Sequence, residues 1–297
     1  MIHSNIILKS ISQKYLSSFS AGSRTAVSLA FNKYGTSENR SHPPLVIAHG
    51  LFGHKSNWNS VSKQIQRKLD NQIFVIDFRN HGESPHSDSM TYPDMVEDLK
   101  LFINDVVVKE SGYDSVDILG HSMGGKAVTL LAMDPNGQNL LRTVIVEDVS
   151  PVSESRNIHF KRYISHMKNV DLSKSRRKIS DDLAHVITDL PTRQFLLTNL
   201  AQDENSSNRL RWKPNLDALE NHIEHVLRFT IKEGTFKKPS LFITGANSRY
   251  VNESNHEEIK KMFPNVEFIS IPNAGHWVHA ENPNAFIDAI VNFLEKN

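Results

Sequence analysis

The sequence predicts an α/β protein: a mostly parallel, doubly wound sheet with a helical cap inserted after the sixth core strand. Two observations predict it. Strand-length apolar runs alternate with helical stretches along most of the chain, the pattern of β-α units joined by right-handed crossovers. One long interval, from Ser150 to Lys238, breaks that rhythm and offers helical patterns but no convincing strand. Most of the apolar runs are continuous rather than alternating, as strands covered on both faces require.

The first strand is expected near Val27-Ser28-Leu29-Ala30. Further strands are expected over Leu45–Ala48, Ile73–Ile76, Val116–Leu119, Val144–Val146, Leu241–Ile243 and Val266–Ile269. Helices are expected over Asn57–Leu69, Tyr92–Val108, Met123–Met133, Glu253–Met262 and Asn284–Leu294. Asn57 and Asn284 are suited to cap theirs, and Pro264 follows the fourth. Within the interval, Ile158–Met167, Asp181–Thr188 and Leu216–Ile231 read as helices. The chain thus divides into a core of residues 25–149 and 239–297 and a helical cap of residues 150–238, an insertion of the kind that shapes a pocket and excludes water. The basic run Lys174-Ser175-Arg176-Arg177-Lys178 reads as a solvated helix face, with contact to a phosphate-bearing group as the alternative.

Composition narrows the function. A net charge of +1 in 297 residues makes no case for nucleic acid as a partner. The chain has no cysteine, which excludes disulfides, thiolate catalysis and cysteine-ligated zinc. No apolar run approaches the roughly 20 residues that span a bilayer. Before Glu38 there is no acidic residue, and Lys9, Lys14, Arg24 and Lys33 lie among serines and short apolar groups. That is the composition of a mitochondrial transit peptide over residues 1–24, with a disordered tail as the alternative.

Chemistry concentrates in Gly120-His121-Ser122-Met123-Gly124, set between an apolar strand and a helix-like stretch. In that context G-x-S-x-G forms a sharp turn that lifts the serine above the sheet at a helix N-terminus. A serine hydroxyl needs a base within reach, and the base needs an orienting acid. Of fifteen histidines, His276 in Asn273-Ala274-Gly275-His276-Trp277 follows the last strand and suits the base; His279 is its near rival. The loop Gly245–Val251, where many such enzymes carry the acid, has no carboxylate. One strand earlier, Asp148 sits at a strand end with Glu147 beside it, and consecutive strand side chains face opposite ways. Asp148 is the expected acid. The oxyanion donors are expected to be the backbone N–H groups of Met123 and Leu51, with Phe52 as the alternative to Leu51; His49 braces their loop.

With His49–Gly53, Asp77–Ser87 and Glu147–Val152 in the same order, these motifs resemble the α/β-hydrolase superfamily. More narrowly, the chain is similar to the mitochondrial abhydrolase-domain-eleven group, itself similar to bacterial esterases and yeast ethanol acetyltransferases. The resemblance runs from about Thr25 to the C-terminus and is weakest in the cap. It implies a Ser122–His276–Asp148 triad, no metal and no bound cofactor. It implies esterase, thioesterase or alcohol acyltransferase activity, with an ester or acyl-CoA as substrate and water or a short alcohol as acceptor. A cofactor-free haloperoxidase, a carbon–carbon bond hydrolase and a non-catalytic partner-binding protein are the competing expectations.

Overall fold

Each buried strand divides its side chains between two cores, which is why its sequence reads as apolar throughout. In β2 (Leu45–Ala48), Val46 and Ala48 pack into one core, and Leu45 and Ile47 into the other. The computed structural model describes residues 25–36, 38, 41–154 and 159–297; the expected leader, residues 1–24, lies outside them.

Seven strands form the main sheet: β1 (Phe31–Tyr34), β2, β3 (Ile73–Ile76), β4 (Val116–His121), β5 (Leu141–Glu147), β8 (Ser240–Gly245) and β9 (Val266–Ile271). Their order is β1-β3-β2-β4-β5-β8-β9. β1 runs antiparallel to β3 at the edge, and every other pairing is parallel. One face carries α2 (Tyr92–Phe102, continued by a π-helical turn, Ile103–Val107, and a last turn, Val108–Ser111) and α3 (Met123–Met133). The other carries α1 (Asn59–Leu69) and α10 (Pro283–Lys296). A short helix α9 (Val278–Glu281) precedes α10, and α8 (His256–Met262) connects β8 to β9.

Between β5 and β8 lie α4 (His159–Asn169), α5 (Arg176–Leu183), α6 (Leu190–Leu197), the hairpin β6 (Leu200–Asp203) and β7 (Ser206–Trp212), and α7 (Leu216–Arg228). Buried residues of these elements, such as Ile164, Leu196 and Leu219, join the core on the α2–α3 face.

Three expectations are corrected. The first strand is Phe31–Tyr34, not Val27–Ala30. The earlier stretch spends its backbone donors on side chains: Val27 N–H on Asp98 Oδ1 (2.7 Å) and Ala30 N–H on Ser84 Oγ (2.9 Å). Among the described residues, five strands of the main sheet precede the insertion, where six were expected: four of the strand-length runs before Ser150 make one strand each, and the fifth strand is Phe31–Tyr34. The insertion is not purely helical, because β6 and β7 pair antiparallel. Its polar sequence hides the hairpin. Tertiary bonds fix it, with Trp212 Nε1–H donating to Met167 O (2.8 Å) and Leu210 N–H to Leu172 O (2.8 Å).

The parallel register levels the C-terminal ends of the central strands: Ala48 lies opposite Gly120, and His121 opposite Glu147. The turn after β4 fits there only because it lacks side chains at two positions. A Cβ on Gly120 would lie 2.4 Å from Gly124 O, and one on Gly124 would lie 2.4 Å from Ala48 O. Both obstacles are backbone. Gly124→Ala is therefore expected to destabilise the protein by about 3 kcal/mol, read as a fall in denaturation midpoint; an unchanged midpoint would refute the close packing.

Candidate active site

Ser122 occupies the turn between β4 and α3 with φ 53° and ψ −115°, a conformation that side-chain-bearing residues rarely adopt. Two backbone bonds hold it: Ser122 N–H donates to Glu147 O (3.0 Å), and Lys126 N–H donates to Ser122 O (3.1 Å). The hydroxyl then projects from the start of α3. Asp148, directly after β5, also has a positive φ (49°), and its N–H bonds Ile243 O (2.8 Å).

His276 lies between them. Its Nδ1 is 2.7 Å from Asp148 Oδ2, and its Nε2 is 3.1 Å from Ser122 Oγ. An Nδ1–H donating to the carboxylate leaves Nε2 unprotonated, ready to accept the Ser122 hydroxyl proton. Asp148 is buried and accepts two further bonds, from Gly245 N–H to Oδ1 (3.1 Å) and from the Ser248 hydroxyl to Oδ2 (2.5 Å). The loop carrying His276 is fixed on several sides. Glu281 accepts Gly275 N–H (2.8 Å) and Trp277 N–H (3.1 Å), and His121 Nε2–H donates to His276 O (2.9 Å). Tyr250 stacks on the imidazole at 3.8 Å.

The two rivals satisfy each other elsewhere. Glu147 points to the opposite face, fully buried, and accepts the N–H (2.9 Å) and Nδ1–H (2.8 Å) of His279. Trp58 stacks on His279 at 4.0 Å. Despite its burial, Glu147 has its carboxyl held below the usual range by His279 and His121. Among the described residues, His121, Glu147 and His279 form the one cluster with metal-ligand spacing, their donor atoms within 4.8 Å of one another. Hydrogen bonds already join Glu147 to His279 and His121 to the His276 loop.

The loop after β2 borders the cavity that contains Ser122. Neither the Leu51 nor the Met123 N–H has a hydrogen-bond acceptor among the described residues, and both residues line the cavity that contains Ser122. The alternative donor, Phe52, is corrected: its N–H is committed to His81 Nε2 (3.2 Å). Its carbonyl is held by Asn199 Nδ2 (2.7 Å), from the inserted segment. His81 and His49 brace this loop as neutral rings. Burial pushes His81 down to about 4 and His49 down to about 3. Each donates from Nδ1 to a carbonyl, His81 to Arg79 O (3.1 Å) and His49 to Gly50 O (2.8 Å). Each accepts a backbone N–H at Nε2, from Phe52 and from Phe78 (3.0 Å) respectively.

The cavity over Ser122 has a volume of ≈ 260 Å³ and a mainly apolar wall that includes Leu51, Phe52, Met123, Phe160, Phe195 and Trp277. Of the basic run, Lys174 pairs with Asp182 (2.7 Å), and Arg176 donates to Leu197 O (2.9 Å) and Leu200 O (2.7 Å). Those two charges brace the inserted segment. Ser248 and Tyr250 were missed as site residues, since both contacts depend on loops distant in sequence.

This geometry stands in a chain whose residues 43–283 match the model of the α/β-hydrolase fold. The chain belongs to that family. Within it, the chain falls in the group of ABHD11, and it is a hydrolase of the esterase and lipase kind. It is 36% identical over 258 residues to the mouse (Mus musculus) sn-1-specific diacylglycerol lipase ABHD11, covering 85% of this chain and 81% of that one. It is 33% identical over 284 residues to a probable alcohol acetyltransferase of Saccharomyces cerevisiae, covering 88% and 79%. A solved marine microorganism esterase superposes with a TM-score of 0.80 at 35% identity, over 91% of this chain and 100% of that one. Among the described residues, no helix is long and apolar enough to cross a membrane.

The buried neutral histidines set the response to acid. Unfolded, each binds a proton near pH 6.5; folded, His81 does so only near 4. Between those values the unfolded chain holds more protons, so stability is complete above about pH 6.5 and falls as pH drops toward 4. His81 alone accounts for about 3 kcal/mol of that loss. The unfolding midpoint should fall steeply from pH 7 to 4.5, and His81→Gln, which keeps an acceptor without the titration, should flatten the fall. An equal slope in the variant would contradict this.

Proposed function

We propose that the chain is a serine-dependent acyl-transfer enzyme acting on carboxylic esters. The single observation that carries this is the imidazole of His276 within reach of both the Ser122 hydroxyl and the Asp148 carboxylate. Ser122 Oγ attacks the ester carbonyl as its proton passes to His276 Nε2. The oxyanion is received by the Leu51 and Met123 N–H groups, whose dipoles need no reorganisation. The tetrahedral intermediate collapses, His276 gives its proton to the leaving oxygen, and an acyl-serine remains. Water, activated by the same imidazole, then releases the acid. Asp148 holds the imidazole tautomer and stabilises the transient imidazolium. Ser248 and Gly245 fix the carboxylate.

At ≈ 260 Å³ the apolar cavity falls just below the ~300–1,000 Å³ typical of small-molecule sites, which supports a short acyl group over a long one. A short alcohol in place of water turns hydrolysis into ester synthesis, and an acyl thioester enters by the same first step. The yeast relative's name supports including that acceptor. The acid-free, serine-rich leader supports a mitochondrial location.

Purified protein is expected to be labelled by a fluorophosphonate probe and to turn over p-nitrophenyl butyrate faster than the palmitate ester. Ser122→Ala should abolish both labelling and turnover. Asp148→Asn should lower kcat roughly 10⁴-fold, since the imidazole loses its orienting charge, and Ser248→Ala about ten- to a hundredfold, as one charged hydrogen bond is removed. Labelling that survives Ser122→Ala would sink the reading.

A further inference from the structure

Lys126 is a buried cation that the steps above do not use. It stands on α3 one turn after Ser122 and is 2% exposed. Its Nζ donates to two carbonyls of the inserted segment, Ser153 O (2.9 Å) and Phe229 O (2.6 Å). An ammonium group has three protons to donate, and the third meets no acceptor among the described residues. A buried charge is costly unless an opposite charge answers it. The two carbonyls are neutral, and no carboxylate among the described residues is hydrogen-bonded to Nζ. Burial accordingly pushes Lys126 down to about 8, which leaves it a cation at neutral pH.

The position of this charge ties it to the acyl group. Lys126 lines the apolar cavity over Ser122. Among the described residues of that wall it is the one lysine or arginine, and none is an aspartate or glutamate. Of the wall's histidines, His121 is kept neutral by burial and His276 is the proposed base. Glu154, whose charge acts on Lys126, lines the neighbouring polar cavity, which Lys126 also borders. Four residues along α3 set Lys126 on the same face as Ser122, about 6 Å further along the axis. Long side chains on a helix lean back toward its N-terminus, here toward the serine. A hydrocarbon chain in this cavity leaves the ammonium unanswered. A phosphate calls for several donors gathered at one point, and one uncommitted N–H is present. A single carboxylate matches one cation with one free proton.

We propose that Lys126 sets the specificity of this site, and that the acyl group handled best is short and carries a carboxylate at its far end, as in a half-ester of succinic acid. This rests on the acyl-transfer reading and names the substrate class of that site. In balance, the Ser122 proton travels through His276 to the leaving alcohol oxygen as the ester C–O bond breaks and the acyl–Oγ bond forms. Water then takes the acyl group from serine and leaves the diacid. The far carboxylate is unchanged throughout and accepts the third Lys126 N–H.

The test compares monoethyl succinate with ethyl butyrate and ethyl succinamate. All three share the acyl carbon chain and the leaving alcohol, and their far ends are a carboxylate, a methyl and a neutral amide. The wild-type kcat/KM should favour the succinate half-ester over both others about ten- to a hundredfold, the effect of one hydrogen bond between charged groups. Lys126→Gln and, separately, Lys126→Met should each bring that preference to one or below, because the carboxylate then enters an apolar wall unanswered. Lys126→Arg, which keeps the cation, should retain most of it. A merely structural clamp would slow all three esters alike and leave the ratios intact. Absence of the preference in the wild type overturns the proposal whether or not the variants fold, as does an equal preference for the amide. A preference that survives both uncharged variants also overturns it. In each of these cases, fluorophosphonate labelling of Ser122 and turnover of ethyl butyrate leave the acyl-transfer reading standing. Loss of the labelling itself in the wild type overturns both.

Discussion

The hydrogen bond between the Asp148 carboxylate and His276 Nδ1 is the interaction on which the site depends. A buried carboxylate is costly unless its oxygens are met by donors. Asp148 meets three: the imidazole, the Gly245 N–H and the Ser248 hydroxyl. Those donors come from the ends of two further strands, so the charge ties β5, β8 and the loop after β9 together. The same bond decides which imidazole nitrogen faces Ser122. Without it, the ring has no fixed tautomer, and the 3.1 Å approach of Nε2 to the hydroxyl has no chemical direction.

A second set of buried polar groups keeps the surrounding loops in place without competing for protons. His49, His81 and His121 are all buried, and burial holds His121 down to about 3, as it lowers the other two. Their tautomers follow from their partners. Two of them accept backbone N–H groups in the loops after β2 and β3, and the third donates to the carbonyl of the residue that carries the proposed base. By binding the Phe52 N–H, His81 leaves the Leu51 N–H as the uncommitted donor of the two, on a residue that lines the cavity. Neutral imidazoles suit this work, since a cation beside His276 would resist the formation of a second one.

Much of this was legible in the sequence, for reasons that can be named. Ser122 stood in a pattern whose strand and helix were both visible, and the glycines flanking it mark a turn too tight for side chains. Asp148 and Glu147 could be separated because strand alternation sends neighbours to opposite faces, and the structure sends Glu147 to His279. Other features had no local signature. The donor role of Phe52 is removed by a ring 29 residues away. The Ser248 contact joins loops 100 residues apart. The β6–β7 hairpin is polar along most of its length and is held by bonds to Met167 and Leu172, so neither periodicity nor composition distinguished it. The stretch Val27–Ala30 has strand composition but is claimed by the side chains of Asp98 and Ser84.

The central claim is that Ser122, His276 and the two free backbone N–H groups act on one carbonyl. A crystal structure of the protein inactivated by diethyl p-nitrophenyl phosphate tests it most directly. The account predicts phosphorus bonded to Ser122 Oγ, with its phosphoryl oxygen within hydrogen-bond distance of both the Leu51 and the Met123 N–H. An adduct on another residue, or a phosphoryl oxygen turned away from those two groups, would contradict it.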